Sequence, residues 1–267
     1  MTTTTLVCVG DSFTEGMSDA LRPDGHHVGW ADRAAHGLAT TASHAGNEVE
    51  YANLAVRGKL LDQVVADQLP LVEQFAPSIT TFHAGPNDVL RRGTDLEDLY
   101  RRYDEAVART AAASGRVLLF TSIGRAGGSG RVAQALADRF AAFNRNVRTT
   151  AERYGADVVD LERVEVLTDR RLWHTDRLHL NVDGHVRVAA AVLETLGVDD
   201  PVVLGGPVGW WREPLPPAPP SSRSADLAAD AVWVREHLLP WVGRRLRGTS
   251  SGDGREPKDT EPQLVVV

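Results

Sequence analysis

Residues 7–16 read Val-Cys-Val-Gly-Asp-Ser-Phe-Thr-Glu-Gly (VCVGDSFTEG), an apolar run that stops on a glycine, an acid and a serine. With Leu6 ahead of it, the run lacks the polar alternation of a strand that wets one face. It suits a strand covered on both sides. Four later segments share its character: EVEYANLAV from Glu48, SITTFHAG from Ser78, RVLLFTSIG from Arg116 and ADVVDLERV from Ala156. Between them lie stretches of helical spacing. KLLDQVVADQLPLVEQF places Leu60, Val64, Leu71 and Phe75 near a 3.6-residue period, with Pro70 as an expected break. DLEDLYRRYDEAVARTAA and RVAQALADRFAAFNRNVRTTAERYG are longer and amphipathic, and Gly115 and Gly155 stand where helix-ending glycines belong. NVDGHVRVAAAVLETLG reads as a last core helix, capped by Asn181 and stopped at Gly197. This alternation predicts a three-layer α/β/α sandwich on a five-stranded parallel sheet, with a C-terminal helical extension.

The composition agrees. The chain has 267 residues, 42% of them hydrophobic and 24% charged, as in soluble globular proteins. A formal charge of −7 without a Lys/Arg patch argues against nucleic acid as a partner. Lysine occurs only at Lys59 and Lys258. Cys8 is the single cysteine, so no internal disulfide forms, and its place in the first strand makes it a buried thiol. The N-terminus has no basic, apolar signal segment and no run reaches membrane-spanning length, so a cytoplasmic location is the default expectation and stable membrane insertion is not expected.

The boundaries follow from composition. Residues 1–200 form the expected α/β domain. Residues 201–223 form a Pro-rich linker, WWREPLPPAPPSS at its centre, with Trp210 and Trp211 as anchors. Residues 224–247 form an amphipathic helix with Leu227, Ala231, Val234, Leu238, Val242 and Leu246 on one face and a bend at Pro240. Its last turn carries Arg244, Arg245 and Arg247, favourable at a helix C-terminus. Residues 248–267 have the composition of a disordered tail. The helix has three open roles: packing on the core, covering the site, or pairing two copies into a homodimer.

In an open parallel sheet, ligands bind where strands end. The first strand exits into Gly10-Asp11-Ser12, the second into NLAVRGK with Asn53 and Gly58, and the third into Gly85-Pro86-Asn87-Asp88; the fifth leads to DRLHLNVDGH with Asp176 and His179. These residue types meet the needs of acyl transfer. A serine hydroxyl needs a base, an imidazole is suited to that task, and a carboxylate fixes its tautomer. Asp176 and His179 are three residues apart, so one turn of backbone sets them side by side. The Ser12 N–H, the Gly58 N–H and the Asn87 amide are candidate oxyanion donors. Asp11 and Asp88 are read as loop braces.

These blocks resemble the SGNH hydrolases, the GDSL-type lipases and esterases. Gly10-Asp11-Ser12 matches the family's first block, Gly58 the second, Gly85, Asn87 and Asp88 the third, and Asp176 with His179 the fifth. The resemblance implies a flavodoxin-like fold, Ser12 as nucleophile, a small-molecule ester or thioester as substrate, and neither metal nor cofactor. It does not reach the linker or the final helix. Two rival functions stay open: a carbohydrate O-deacetylase using the same residues, and a flavodoxin-like phosphate-binding module using the loop after the first strand. His185 is read as scaffold. His26, His27, His83 and His174 have no motif support. Arg57 and Arg125 are read as solvated rather than substrate-binding. FTEGMSDALRPDGHHVGW and GRAGGSG are read as pocket walls.

Overall fold

The computed structural model describes residues 1–124, 130–218, 229–240, 243 and 250–267. In chain order it contains β1 (Thr3–Gly10), α1 (Ser12–Glu15), α2 (Gly29–His44), β2 (Glu48–Asn53), α3 (Leu61–Asp67) and α4 (Leu69–Phe75). There follow β3 (Ile79–His83), α5 (Pro86–Val89), α6 (Leu96–Ala113), β4 (Arg116–Phe120), α7 (Arg131–Tyr154) and β5 (Asp157–Val159). Finally come α8 (Val182–Thr195), α9 (Pro201–Leu204) and β6 (Gln263–Leu264). A further helical stretch spans 229–240.

The sheet order is β5-β4-β3-β1-β2-β6. The first five strands pair in parallel, as the sequence predicts. A sixth was not expected: β6 adds antiparallel to the outer edge of β2, Tyr51 facing Gln263. Side-chain alternation then builds two cores. Leu6 and Cys8 of β1 face α2 and α8, while Val7 and Val9 face the α3–α4 and α6–α7 side. A fully buried Leu or Val contributes roughly 1.5–3 kcal/mol relative to exposure. A strand loaded on both faces is therefore anchored from both sides. Cys8 is buried, and burial pushes its thiol up to about 12, leaving it inert as a nucleophile.

Several expected punctuation marks hold. The break before Pro70 separates α3 from α4, Asn181 caps α8 by accepting from Gly184 N–H, and Gly155 ends α7 at φ +65°. Gly115 differs. The helix ends earlier, at an extended Ser114, and Gly115 is small because a Cβ there would lie 2.9 Å from the Ser78 carbonyl oxygen. Helix α2 was not foreseen. Its buried face is Trp30, Ala31, Ala34, Ala35 and Ala39, and an alanine stripe gives little hydrophobic contrast.

The C-terminal third departs most from expectation. Part of the linker is folded: α9 and a 3-10 turn over Trp210–Arg212 pack on α8. Trp211 donates to Glu194, and Trp210 donates to the Leu204 carbonyl, so both tryptophans are anchors as expected. The two described residues of the apolar stripe on the 229–240 helix are not buried. Val234 is 37% exposed and Ala231 is exposed, while Asp230, Trp233 and His237 face the protein. A π-turn over Val234–Leu238 precedes Pro240, whose missing N–H weakens the ladder there. Leu227, Val242, Leu246, Arg244, Arg245, Arg247, Arg125 and most of GRAGGSG lie outside the described residues, as does the side chain of Leu238.

The tail is also not disordered where it is described. The Lys258 side chain is wholly buried and donates to the His27 and Val28 carbonyls at 2.8 and 2.9 Å and to Asp32 at 3.0 Å. Asp259 accepts from Asn53 N–H at 3.1 Å. The polar composition that mimics disorder is consumed by specific partners at an open sheet edge.

His185 is the scaffold residue expected. It is 1% exposed, and its Nε2 lies 3.1 Å from the Met17 carbonyl. Burial drives its pKa down to about 4, with Arg33 and His179 adding to the fall and Met17 and Asp19 opposing it. The unfolded chain binds a proton near pH 6.5 that the folded chain refuses until about pH 4, so stability falls as pH drops through that window. Urea titrations should show wild type losing on the order of 1–3 kcal/mol across it. His185→Gln should flatten that slope, and an unchanged slope would show that other groups carry it.

Candidate active site

The Ser12, Gly58 and Asn87 loops follow the carboxyl ends of β1, β2 and β3. Between β1 and β3 the strand order reverses, since β2 lies on one side of β1 and β3 on the other. That reversal opens a crevice at the strand ends. The Ser12 loop leaves β1 and the Asn87 loop leaves β3, so both border it.

Ser12 is the first residue of α1. Asp11 caps that helix, its carboxylate accepting from Phe13 N–H at 3.1 Å. The Phe13 ring lies 4.4 Å from the His83 ring and 5.6 Å from Phe120, centre to centre, which fixes the turn on the core. Gly10 is held on both sides by Gln68: its N–H donates to Gln68 Oε1 at 2.8 Å and its carbonyl accepts from Gln68 Nε2 at 2.9 Å. Gly10 has φ +152°, and a Cβ there would lie 2.4 Å from the His83 carbonyl oxygen. Gly10→Ala is therefore expected to destabilise the chain by about 3 kcal/mol, a clash with backbone that cannot relax cheaply. Denaturant unfolding followed by circular dichroism measures it. A loss below about 0.5 kcal/mol would mean that β1 and β3 move apart freely.

Gly58 sits at φ +74° in a turn closed by Lys59 N–H on the Val56 carbonyl. Its neighbour Arg57 is not solvated. The guanidinium is paired with Glu15 of α1, and the Arg57 N–H donates to Glu15 Oε2 at 2.6 Å. This buried ion pair ties the Gly58 turn to the helix that begins with Ser12. Neither the Ser12 N–H nor the Gly58 N–H is used in a hydrogen bond to a described residue.

Asn87 bridges loops. Its amide donates to Asp11 Oδ2 and to the Lys59 carbonyl, both at 3.0 Å. Both amide hydrogens are thus engaged, and the side chain reaches an oxyanion only by sharing or releasing one of them. Asp88 is the brace expected, buried and accepting from Leu61 N–H at 2.9 Å, with burial raising its pKa.

Asp176 and His179 meet. Asp176 Oδ2 lies 2.8 Å from His179 Nδ1, and Oδ1 accepts from the Leu178 and His179 N–H groups at 2.8 and 3.0 Å. Burial alone would raise the Asp176 pKa, but the His179 ring and these backbone donors outweigh it and hold the carboxyl well below the usual range. An ionised Asp176 makes Nδ1 the protonated nitrogen and leaves Nε2 as acceptor. The loop is tied to the serine side through His185, at the start of α8, whose Nε2 meets the Met17 carbonyl. No hydrogen bond joins Ser12 Oγ to His179 in the structure. Such contacts are often long without substrate and tighten when it binds.

His174 lies 3.4 Å from Asp176 through Nδ1, and His83 lies 3.5 Å from Asp11. Among the described residues no group of three or more His, Cys, Asp or Glu side chains is arranged to hold a metal. No described helix is long and apolar enough to cross a membrane. Grooves of about 390 and 300 Å³ lie along α2, and neither is lined by Ser12, Gly58, Asn87, Asp176 or His179. Sequence reasoning missed Gln68, Phe13, Glu15 and Trp233. Only Gln68 had a signal, its place at the helix break before Pro70.

Residues 8–187 match the GDSL-like lipase/acylhydrolase family. No curated protein sequence matches. Among solved structures the chain is similar to LAE5, an alpha/beta hydrolase enzyme from the metagenome of Lake Arreo, Spain, at 26% identity over 73% of this chain and 95% of that one, TM-score 0.58. It is similar in fold to Axe2, an acetylxylan esterase from Geobacillus stearothermophilus, at 22% identity over 73% and 94%, TM-score 0.59. It is also similar in fold to the psychrotrophic esterase EstA from Pseudoalteromonas sp., at 16% identity over 72% and 96%, TM-score 0.56.

Proposed function

The chain belongs to the GDSL-like lipase/acylhydrolase family and is a carboxylic ester hydrolase, and we propose that it works through a Ser12–His179–Asp176 relay and an acyl-enzyme on Ser12. The observation that carries the reading is the Asp176–His179 pair at 2.8 Å, with the carboxylate held from three sides. Substrate binding brings Ser12 Oγ to His179 Nε2. The hydroxyl oxygen attacks the acyl carbon while Nε2 takes its proton. The oxyanion is met by the Ser12 and Gly58 N–H groups, which no described residue engages, with Asn87 turning one hydrogen toward it. The C–O bond to the alcohol then breaks, and the imidazolium returns its proton to the leaving oxygen. Water repeats the sequence on the acyl-enzyme and releases the acid.

The grooves along α2 do not open onto Ser12. We extend the proposal to short to medium acyl groups, which the ester series below tests. The phosphate-binding alternative is disfavoured because the Asp11 carboxylate already takes the Phe13 N–H and the Asn87 amide, donors that such a loop would otherwise offer an anion.

The test is labelling with a serine-directed fluorophosphonate, read by mass spectrometry. It is paired with p-nitrophenyl esters of rising acyl length and an acetylated xylo-oligosaccharide. One adduct on Ser12 and turnover of at least one short ester are expected. Preference for the acetylated sugar would place the enzyme among carbohydrate deacetylases, and an adduct on another residue would refute the assignment.

A further inference from the structure

The family match ends at residue 187, yet the chain beyond it returns to the active-site loops. The 229–240 helix lies against the segment that carries Asp176. The Trp233 indole N–H donates to the Asp176 main-chain carbonyl at 2.9 Å. The Arg177 guanidinium carbon lies 4.7 Å from the centre of the Trp233 ring, and the same side chain pairs with Asp230 at 2.7 Å. Arg177 holds φ +57°, a conformation that non-glycine residues keep only when their surroundings impose it. That conformation belongs to a turn closed by Arg177 N–H on the His174 carbonyl, and the helix meets this turn through positions 230 and 233. We propose that Trp233 is a positioning residue for the acid–histidine pair, the C-terminal arm being a working part of the active site; this rests on reading Asp176 and His179 as the proton relay.

The argument is geometric. The Asp176 carboxylate is held from within by His179 and Leu178. The peptide that follows it is held from outside by Trp233. Releasing the outer grip lets the 176–177 peptide turn, and the carboxylate turns with it. His237 extends the same face, its ring 6.4 Å from that of His174.

The arm is seated, not loosely laid. Its Ser250–Asp253 turn presses on the Arg57–Gly58 turn so closely that a Cβ on Gly252 would lie 1.9 Å from the Arg57 carbonyl oxygen. A Cβ on Gly58 would lie 2.2 Å from Ser250 Oγ. Farther on, the buried Lys258 side chain, Asp259 and β6 fasten the arm to α2 and β2. One arm thus touches both the acid–histidine loop and the Gly58 turn.

Trp233→Phe keeps an aromatic ring beside Arg177 and removes the indole N–H together with the second ring. In the full-length protein we expect kcat to fall about five- to tenfold, the scale of one hydrogen bond, with KM unchanged and the melting temperature held. Trp233→Ala should fall further. A second readout needs no substrate: the downfield proton resonance of His179 Nδ1–H, identified by its loss in Asp176→Asn, should shift or broaden in both variants. A resonance that stays put in Trp233→Phe and Trp233→Ala would overturn the proposal, whatever kcat does. Wild-type inactivity toward every ester would instead refute the esterase mechanism, and the resonance alone would then decide the role of Trp233.

Discussion

Ser12→Ala is expected to lower kcat/KM for the best ester on the order of 10⁴-fold or more and to abolish fluorophosphonate labelling. The size follows from the chemistry: without the hydroxyl no acyl-enzyme forms, and only the oxyanion donors act on a water molecule. The fold should not notice. Ser12 Oγ makes no hydrogen bond to a described residue, and alanine suits the first turn of a helix that Asp11 already caps. Stability should stay within about 0.5 kcal/mol of wild type. Residual turnover equal to wild type, in a variant with an unchanged melting temperature, would remove Ser12 from the mechanism.

Asp176→Asn comes next, with an expected loss of about 10²- to 10⁴-fold in kcat. In wild type, Oδ1 serves two backbone N–H groups and Oδ2 serves the His179 ring. Asparagine keeps one oxygen, and the two backbone donors claim it. Its NH₂ then faces His179 Nδ1, which must become the acceptor. The proton moves to Nε2, and the nitrogen that should take the serine proton no longer can. Acid titration gives a second signature. The Asp176 pKa is depressed in the folded chain, so its stabilisation is complete above the ordinary carboxylate value near 4 and is lost as pH falls through the lower folded value. The stability gap between wild type and Asp176→Asn should be constant near neutrality and close only in strong acid. A gap that closes between pH 7 and 5 would show that some other group is responsible.

Much of the scaffold was legible because its signals are local. A strand buried on both faces announces itself as an unbroken apolar run, as in Leu6–Val9, and a helix stop needs only a glycine such as Gly155. Asp176 and His179 were legible as a pair because three residues span one turn. Helix α2 was not, since alanine packing leaves no contrast between faces. The role of Arg57 was misread because the partner that neutralises it, Glu15, is distant in sequence and near only in space. The partners of the arm were hidden for the same reason. An apolar stripe on the 229–240 helix pointed to one face, but Trp233 and Asp230 found better partners on the other. A polar tail looked unable to order itself until the open edge of β2 and the carbonyls of His27 and Val28 supplied what it lacked.

By itself, then, the amino-acid sequence determined the strand runs, the main helix stops, the serine at the end of β1 and the Asp–His spacing. All of these depend on neighbours within a few residues. Tertiary structure alone decided that β1 and β3 flank the reversal of the sheet, that Gln68 pins Gly10, that Asn87 spans two loops, and that Trp233 returns to Asp176. Each of those is a contact between groups far apart along the chain, and no local pattern encodes which distant partner a hydrogen-bonding group will meet.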